Sequence, residues 1–207
     1  SLLAWTVRGI ARQWAPLSLF VPAADREDVL DEYFQATRDL GDTKRAVDEL
    51  KASASPGAAR NVERRLEQAR AAQERLAPLA ERSIAGKISR FLMEEGLGLS
   101  VPLVKPFPPV VFAFQPAPHV LVASPRDRIE LVQSILLDQE MDLADAEEIE
   151  RLVEIRGFSA LVERTGGVAT FPSLIASPTT LHDAVEAVAH EWVHHYLIFQ
   201  PLGQRYW

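Results

Sequence analysis

The sequence lacks cysteine altogether among its 207 residues. This excludes a disulfide framework, a thiolate metal site and a cysteine nucleophile, although it does not fix the cellular compartment. Runs of about eighteen apolar residues, which a bilayer-spanning helix needs, are also missing. Basic residues are outnumbered, with 22 Lys and Arg against 29 Asp and Glu and a net charge of −7. Because nucleic-acid-binding proteins usually carry a basic face, we expect no nucleic acid partner.

The N-terminal segment, residues 1–23, is amphipathic. Its apolar residues at helical spacing are Leu3, Val7, Ile10, Trp14 and Leu17. Such a helix either packs on its own domain or lies at a membrane interface beside an anchor or signal segment. Since the sequence starts at Ser1 and stops on the aromatic Trp207, we expect a fragment of a longer protein. An extracytoplasmic, membrane-anchored parent fits these features, with a cytoplasmic parent as the alternative.

Residues 24–98 show the periodicity of two long helices. In 24–54 the apolar and aromatic side chains form one stripe, with acidic residues near its start. A link near 53–57 containing Ser, Pro and Gly precedes a second stripe, which ends at Gly96. We therefore predict an antiparallel helical hairpin. Its Arg- and Glu-rich faces are either solvated outer surfaces or a coiled-coil arm for a protein partner.

The composition changes after this hairpin, because seven of the fourteen prolines fall between Pro102 and Pro125. We place a domain boundary there and expect the domain that follows to be truncated at its C-terminus. The predicted divisions are 1–23, 24–98 and 99–207.

Short apolar segments between turn residues predict strands in this second domain. The predicted strands are 110–114, 119–123, 159–164 and 168–175, and the predicted helices between them are 126–138 and 143–156. We expect 159–164 and 168–175 to form a hairpin through Thr165, Gly166 and Gly167. Pro172 lacks an N–H, so its strand should lie at the edge of a short mixed or antiparallel sheet. The predicted fold class is thus α+β.

A last helix is expected after Thr179 and Thr180, either of which can cap it, and Pro201 should end it. This helix contains the segment His190-Glu191-Trp192-Val193-His194. Residues four apart on an α-helix differ by about 40° in azimuth, so two imidazoles at that spacing can converge on one ion. Zinc prefers such neutral nitrogen donors in a tetrahedral shell. Glu191 would flank the ion and act as a general base toward water.

These residues resemble the zincin metallopeptidases, whose motif is His-Glu-x-x-His on a helix. The resemblance implies that His190 and His194 are zinc ligands and that Glu191 is the catalytic base. It further implies a sheet whose antiparallel edge strand lines the cleft and pairs with a peptide or protein substrate, for which 168–175 is the candidate. The C-terminal helix would then be the active-site helix of a small zincin-like unit.

The third ligand of the zincin pattern has no match in the sequence. Metzincins place a Gly three residues and a His six residues beyond the second His, but Leu197 and Gln200 occupy those positions. The gluzincin branch instead uses a Glu from a later helix. By elimination we expect a gluzincin-like protein whose third ligand lies beyond the fragment.

Other polar residues near the motif have weaker interpretations. His195 lies about 140° around the helix from His190 and should point away from the ion. Glu186, one turn earlier, either orients the His190 ring or is simply solvated. Candidates to stabilise an oxyanion are Tyr196, Arg205 and Tyr206. His119 and His182 are isolated and are not expected to bind metal.

Two functions therefore follow from the sequence. The first is a zinc-dependent peptidase that hydrolyses peptide bonds with a metal-activated water and Glu191 as the base. The second is a non-catalytic protein-interaction module, in which the hairpin binds a partner and the zincin-like site is incomplete.

Overall fold

The computed structural model describes residues 27–52, 56–101, 104–116, 118–128, 130–138, 141–201 and 203–205. The predicted segment 1–23 lies outside these residues. In chain order, the elements are α1 (Glu27–Ala52), α2 (Pro56–Glu94), β1 (Leu99–Val101), β2 (Val104–Phe107), β3 (Phe112–Phe114), β4 (His119–Pro125), β5 (Gln133–Leu137), α3 (Leu143–Glu154), β6 (Phe158–Arg164), β7 (Gly167–Val168), β8 (Ser173–Ile175), α4 (Leu181–Ile198) and a 3₁₀ turn, Gly203–Arg205. The chain is therefore mixed α+β, with an N-terminal helical pair and small sheets. No described helix is long and apolar enough to cross a membrane.

The two long helices pair as the apolar stripes predict. The buried residues of α1 recur three or four apart through most of its length, namely Leu30, Tyr33, Phe34, Thr37, Leu40 and Val47. In α2 the buried positions advance one turn at a time, at Leu76, Ala80, Ile84, Ile88 and Leu92. The prediction of a helical hairpin is confirmed.

One hydrophobic core unites the hairpin with the C-terminal half. It combines the buried stripes of α1 and α2 with β3, β8 and the inner face of α4. Tyr33 of α1 stacks on Phe114 of β3, with ring centroids 5.0 Å apart. The Glu81 carboxylate of α2 accepts a hydrogen bond from the Phe114 N–H at 2.7 Å. The division at residue 98 stays a prediction, and the core extends across it.

Three small sheets follow the hairpin within the described residues. β1 and β2 form an antiparallel pair. The second sheet has the order β3-β8-β7, with β8 parallel to β3 and antiparallel to β7. The third is antiparallel in the order β5-β4-β6, and α3 packs beside β6, where the Glu150 carboxylate accepts a hydrogen bond from Val162 N–H.

The prediction that 159–164 and 168–175 form a hairpin is wrong. β6 pairs along its whole length with β4, from Arg164 opposite His119 to Phe158 opposite Pro125. The chain then crosses to the second sheet, where 168–175 is split into β7, a loop and β8. Pro172 is buried in that loop and belongs to no strand. Of the two strands formed by 168–175, β7 lies at an edge of its sheet and β8 is central. The turn predicted at 165–167 is also wrong, since Gly167 belongs to β7 and neither Gly166 nor Gly167 has a positive φ. The partners of each strand are set by side-chain packing at a distance.

The predicted helix 126–138 is also wrong, because this segment forms a turn and then β5. Its Leu, Gln and Glu residues suit a helix locally. In the fold, however, β5 hydrogen-bonds to β4 in the register Leu136 opposite Val120. Pairing with β4 therefore outweighs the weak local preference of this segment for a helix. The other predicted helix, 143–156, is present as α3.

The shared core makes a direct prediction about stability. Ile84 is fully buried, whereas Leu79, on the same helix, is 42% exposed. Ile84→Ala should lower the free energy of unfolding by about 2–5 kcal/mol, because it leaves a cavity between the hairpin and the sheet. Leu79→Ala should cost less than about 1 kcal/mol. Urea unfolding followed by circular dichroism measures both, and equal losses would contradict a core at Ile84.

Candidate active site

The candidate site lies on α4, whose rotation about its axis is set by the core. Thr180 caps the helix by accepting a hydrogen bond from Asp183 N–H at 3.1 Å, as predicted. Ala184, Val188 and Trp192 are buried on one face. The indole Nε1–H of Trp192 donates to the Pro108 carbonyl at 2.8 Å. With about 100° per residue, this arrangement turns His190 and His194 to the flank of the helix.

The two motif imidazoles converge. The Nε2 atoms of His190 and His194 lie 3.2 Å apart, with ring planes inclined by 73°. Two nitrogen ligands of a tetrahedral zinc ion at 2.0–2.1 Å are separated by about 3.3 Å, the edge of the tetrahedron. The same distance also suits a hydrogen bond in which one ring donates and the other accepts. The separation of the two Nε2 atoms therefore matches the distance between two nitrogen ligands of a zinc ion.

Glu191 is buried beside this pair, with 7% of its surface exposed. It makes no hydrogen bond or ion pair to another residue in the described ranges. Its side chain packs under Gly167 of the edge strand β7. A Cβ atom on Gly167 would lie 2.8 Å from Glu191 Oε1 and 2.9 Å from the Leu174 carbonyl oxygen. Only glycine leaves room for the Glu191 carboxylate at this point.

A cavity of about 390 Å³ opens next to the motif. The residues 166–167 form one wall, and His190 and Glu191 line its end near the motif. Asp183 and Glu186 line it further toward the start of α4. The buried carboxylate and one imidazole of the pair are therefore accessible to a ligand from the same side.

His195 faces the interior, away from the imidazole pair, as its position on the helix predicts. It is 8% exposed, and its ring packs edge-on against Phe171, with centroids 5.8 Å apart. Burial lowers the pKa of its imidazole, although hydrogen bonds with the backbone of Ala169 and Thr170 and the charge of Glu191 act in the opposite direction. We therefore assign His195 to the packing of the loop between β7 and β8.

The remaining two histidines, His119 and His182, contact other polar groups away from the imidazole pair. His119 Nδ1 lies 3.0 Å from the Asp138 carbonyl oxygen, and Arg164 Nε approaches its other nitrogen at 3.3 Å. His182 is exposed on the first turn of α4, with Nδ1 3.7 Å from Asp183 and 4.0 Å from Glu186.

The residues predicted to stabilise an oxyanion have different surroundings. Tyr196 stacks on Trp192, with ring centroids 5.1 Å apart, so its ring belongs to the packing of α4. Arg205 is exposed on the 3₁₀ turn, and Tyr206 lies outside the described residues.

A third metal ligand is not found among the residues that the structure describes, where no three His, Asp or Glu side chains come together as a potential metal site. Among the described residues, the distance that would suit zinc thus involves two side chains, His190 and His194. No protein-family model, curated protein or solved structure matches the chain. The resemblance to zincins therefore depends on the motif residues alone.

Two contributors to the site were not identified from the sequence. Gly167 was interpreted only as a turn residue, and its contact with Glu191 depends on how β7 lies over α4. Trp192 lies inside the motif segment, but its hydrogen-bond partner Pro108 is 84 residues away and no local pattern indicates it. The adjacent residues Gly166 and Gly167 were the one signal in the sequence that another part of the chain approaches this segment closely.

Two neighbouring glycines provide a matched test of this site. Gly167→Ala should lower the free energy of unfolding by about 1–3 kcal/mol, since Glu191 or the backbone of β8 has to shift. Gly166→Ala meets no atom within 4 Å and should change stability by less than about 1 kcal/mol. Urea denaturation measures the free energy of unfolding of both variants. If Gly167→Ala proved as stable as Gly166→Ala, the close packing of Glu191 under β7 would be wrong.

Proposed function

We propose that this chain carries the active-site helix of a zinc-dependent peptidase, with His190 and His194 as zinc ligands and Glu191 as the general base. The observation that supports the proposal most is the 3.2 Å separation of the two Nε2 atoms, with a buried carboxylate on the neighbouring position. A histidine pair serving only as a hydrogen bond would not call for a buried carboxylate next to it, open to a cavity. The finer proposal of a gluzincin-like zincin fold depends on the motif and on elimination.

The proposed reaction is hydrolysis of a peptide bond. Zinc in such a site supplies Lewis acidity toward the carbonyl group and toward water. Glu191 takes a proton from the attacking water as its oxygen bonds to the carbonyl carbon. When the C–N bond breaks, Glu191 returns that proton to the leaving amine nitrogen. The carboxylate thus moves one proton across the site and is regenerated.

The surroundings of Glu191 suit this role. The carboxylate is held between α4 and Gly167, so few conformations are open to it. It has no competing hydrogen-bond partner within the described part of the chain. Such a fixed, partly desolvated base needs little reorganisation when it accepts a proton. We further propose that a substrate lies along β7, the short outer strand of its sheet, in an extended conformation.

A second candidate function is a protein-interaction module with an incomplete zincin site. The observation that favours it is the missing third ligand among the described residues. A second observation also favours the interaction module. Residues 61–75 of α2 include no buried residue and are rich in charged side chains. The two functions differ in what they require of zinc and of Glu191.

Zinc affinity tests the ligand pair. His190→Asn and His194→Asn should each weaken binding of Zn²⁺ at least about tenfold, because each removes one imidazole donor. His182→Asn is the matched control, since His182 is an exposed histidine on the same helix, and it should change affinity less than about twofold. Competition with a chromophoric chelator measures all three. Equal affinity of the His190 variant and the unaltered protein would exclude this site.

Hydrolysis tests the role of Glu191. In the full-length protein, Glu191→Gln should lower peptide cleavage by about 10²–10⁴-fold while zinc binding is retained, since the amide cannot accept the proton. Glu163→Gln, an exposed change on β6 in another sheet, should leave cleavage unchanged. Cleavage that persists in Glu191→Gln and in the presence of chelator would reject the peptidase. Zinc binding without any cleavage would favour the interaction module.

A further inference from the structure

The chain passes twice between the second and third sheets, and the two crossings lie side by side. It crosses first between β3 and β4, and it crosses back between β6 and β7. The crossings meet where β4 and β6 pair, since His119, the first residue of β4, is opposite Arg164, the last residue of β6. The position of β7 therefore depends on how the second crossing is held.

Thr165 joins the two crossings through both of its hydrogen-bond donors. Its N–H donates to the Pro118 carbonyl oxygen at 3.3 Å, and its hydroxyl donates to the same oxygen at 2.9 Å. At the next residue, the Gly166 carbonyl oxygen accepts a hydrogen bond from the Ala176 N–H at 2.9 Å. The chain entering β7 is thus attached to the start of β4 on one side and to the end of β8 on the other.

The hydroxyl bond of Thr165 differs from its neighbours because a side chain makes it. The bonds of the Thr165 N–H and the Ala176 N–H join main-chain groups, which almost any residue provides. Serine carries the same kind of hydroxyl as threonine, whereas valine has nearly the same shape but no donor. The identity of one side chain therefore determines whether this attachment exists.

The segment after Thr165 has little stiffness of its own. Gly166 and Gly167 have no side chains, and glycine has the greatest backbone freedom of all residues. A Cβ atom on Gly166 would meet no atom within 4 Å, whereas one on Gly167 would lie 2.8 Å from Glu191 Oε1. Side-chain packing therefore does not fix Gly166. The hydrogen bonds on either side of it have to keep Gly167 close to the carboxylate.

We propose that Thr165 is a positioning residue for Glu191: its hydroxyl, bonded to Pro118, holds Gly167 over the carboxylate. The inference rests on the proposed function for the role of Glu191 as the base. Loss of one such hydrogen bond shifts a local equilibrium about two- to tenfold. Without it, β7 should separate from α4 more often, and the carboxylate should be less confined.

Hydrogen exchange in the metal-free, full-length protein tests the attachment without any catalysis. Thr165→Val should raise the exchange rate of the Ala176 amide about three- to tenfold, because this amide is bonded to Gly166. Thr165→Ser, which keeps a hydroxyl, should stay within about twofold of the unaltered protein. Thr43→Val is the matched control, since the Thr43 hydroxyl donates to the Asp39 carbonyl oxygen within α1, and it should leave the rate unchanged. NMR spectroscopy measures all four rates.

Cleavage by the zinc-loaded, full-length protein tests whether the attachment acts through Glu191. With rates expressed per bound zinc, Thr165→Val should lower kcat about three- to tenfold, Thr165→Ser should restore it, and Thr43→Val should not change it. Zinc affinity should stay within about twofold in each variant, because His190 and His194 both lie on α4. In protein that already carries Glu191→Gln, Thr165→Val should change kcat less than about twofold, since no base is left to position.

Three results would overturn the inference and leave a peptidase that depends on Glu191 standing. They are an unchanged exchange rate of the Ala176 amide in Thr165→Val, a Thr165→Ser variant that behaves like Thr165→Val, and an equal loss of kcat with and without the Glu191 carboxylate. Faster exchange in Thr165→Val, with no cleavage by the unaltered protein, would instead reject the peptidase. Thr165 would then be retained as the residue that holds Gly167 over Glu191.

Discussion

The buried indole of Trp192 is the constraint on which the candidate site depends. It is 4% exposed, and its N–H is bonded to the Pro108 carbonyl. Because a buried indole needs a hydrogen-bond partner, this contact holds α4 at one rotation as well as against the core. At that rotation His190 and His194 lie on the open flank and Glu191 lies under β7. A helix turned by one residue, about 100°, would carry both imidazoles onto buried positions in one sense, and would carry Glu191 to the exposed position of His190 in the other.

The helical hairpin contributes to the site through the same core. Tyr33 and Ile84 pack with β3 and β8, and β8 in turn positions β7 over α4. The base of the hairpin therefore has a scaffolding role. This explains how a chain with small sheets can hold a carboxylate in a defined position.

The sequence predicts the elements whose signals are local. The stripes of α1 and α2, the Thr180 cap and the spacing of His190 and His194 all depend on residues within a few turns of each other. Strand partners depend on distant residues, so the expected hairpin of 159–164 with 168–175 and the expected helix at 126–138 were wrong. The contact between Gly167 and Glu191 belongs to this second class, since it exists only once β7 lies over the helix. Local periodicity thus predicted the convergence of His190 and His194, whereas the surroundings of Glu191 depend on tertiary packing.

The central claim is that His190 and His194 bind one zinc ion together. X-ray absorption spectroscopy at the zinc edge, on protein loaded with one equivalent of Zn²⁺, examines this directly. If the two histidines share one zinc ion, the spectrum should show nitrogen or oxygen scatterers near about 2.0–2.1 Å with the more distant scattering of two imidazoles. This imidazole scattering should be lost in the double variant His190→Asn/His194→Asn. A spectrum without imidazole scattering, or one that the double variant leaves unchanged, would contradict this claim.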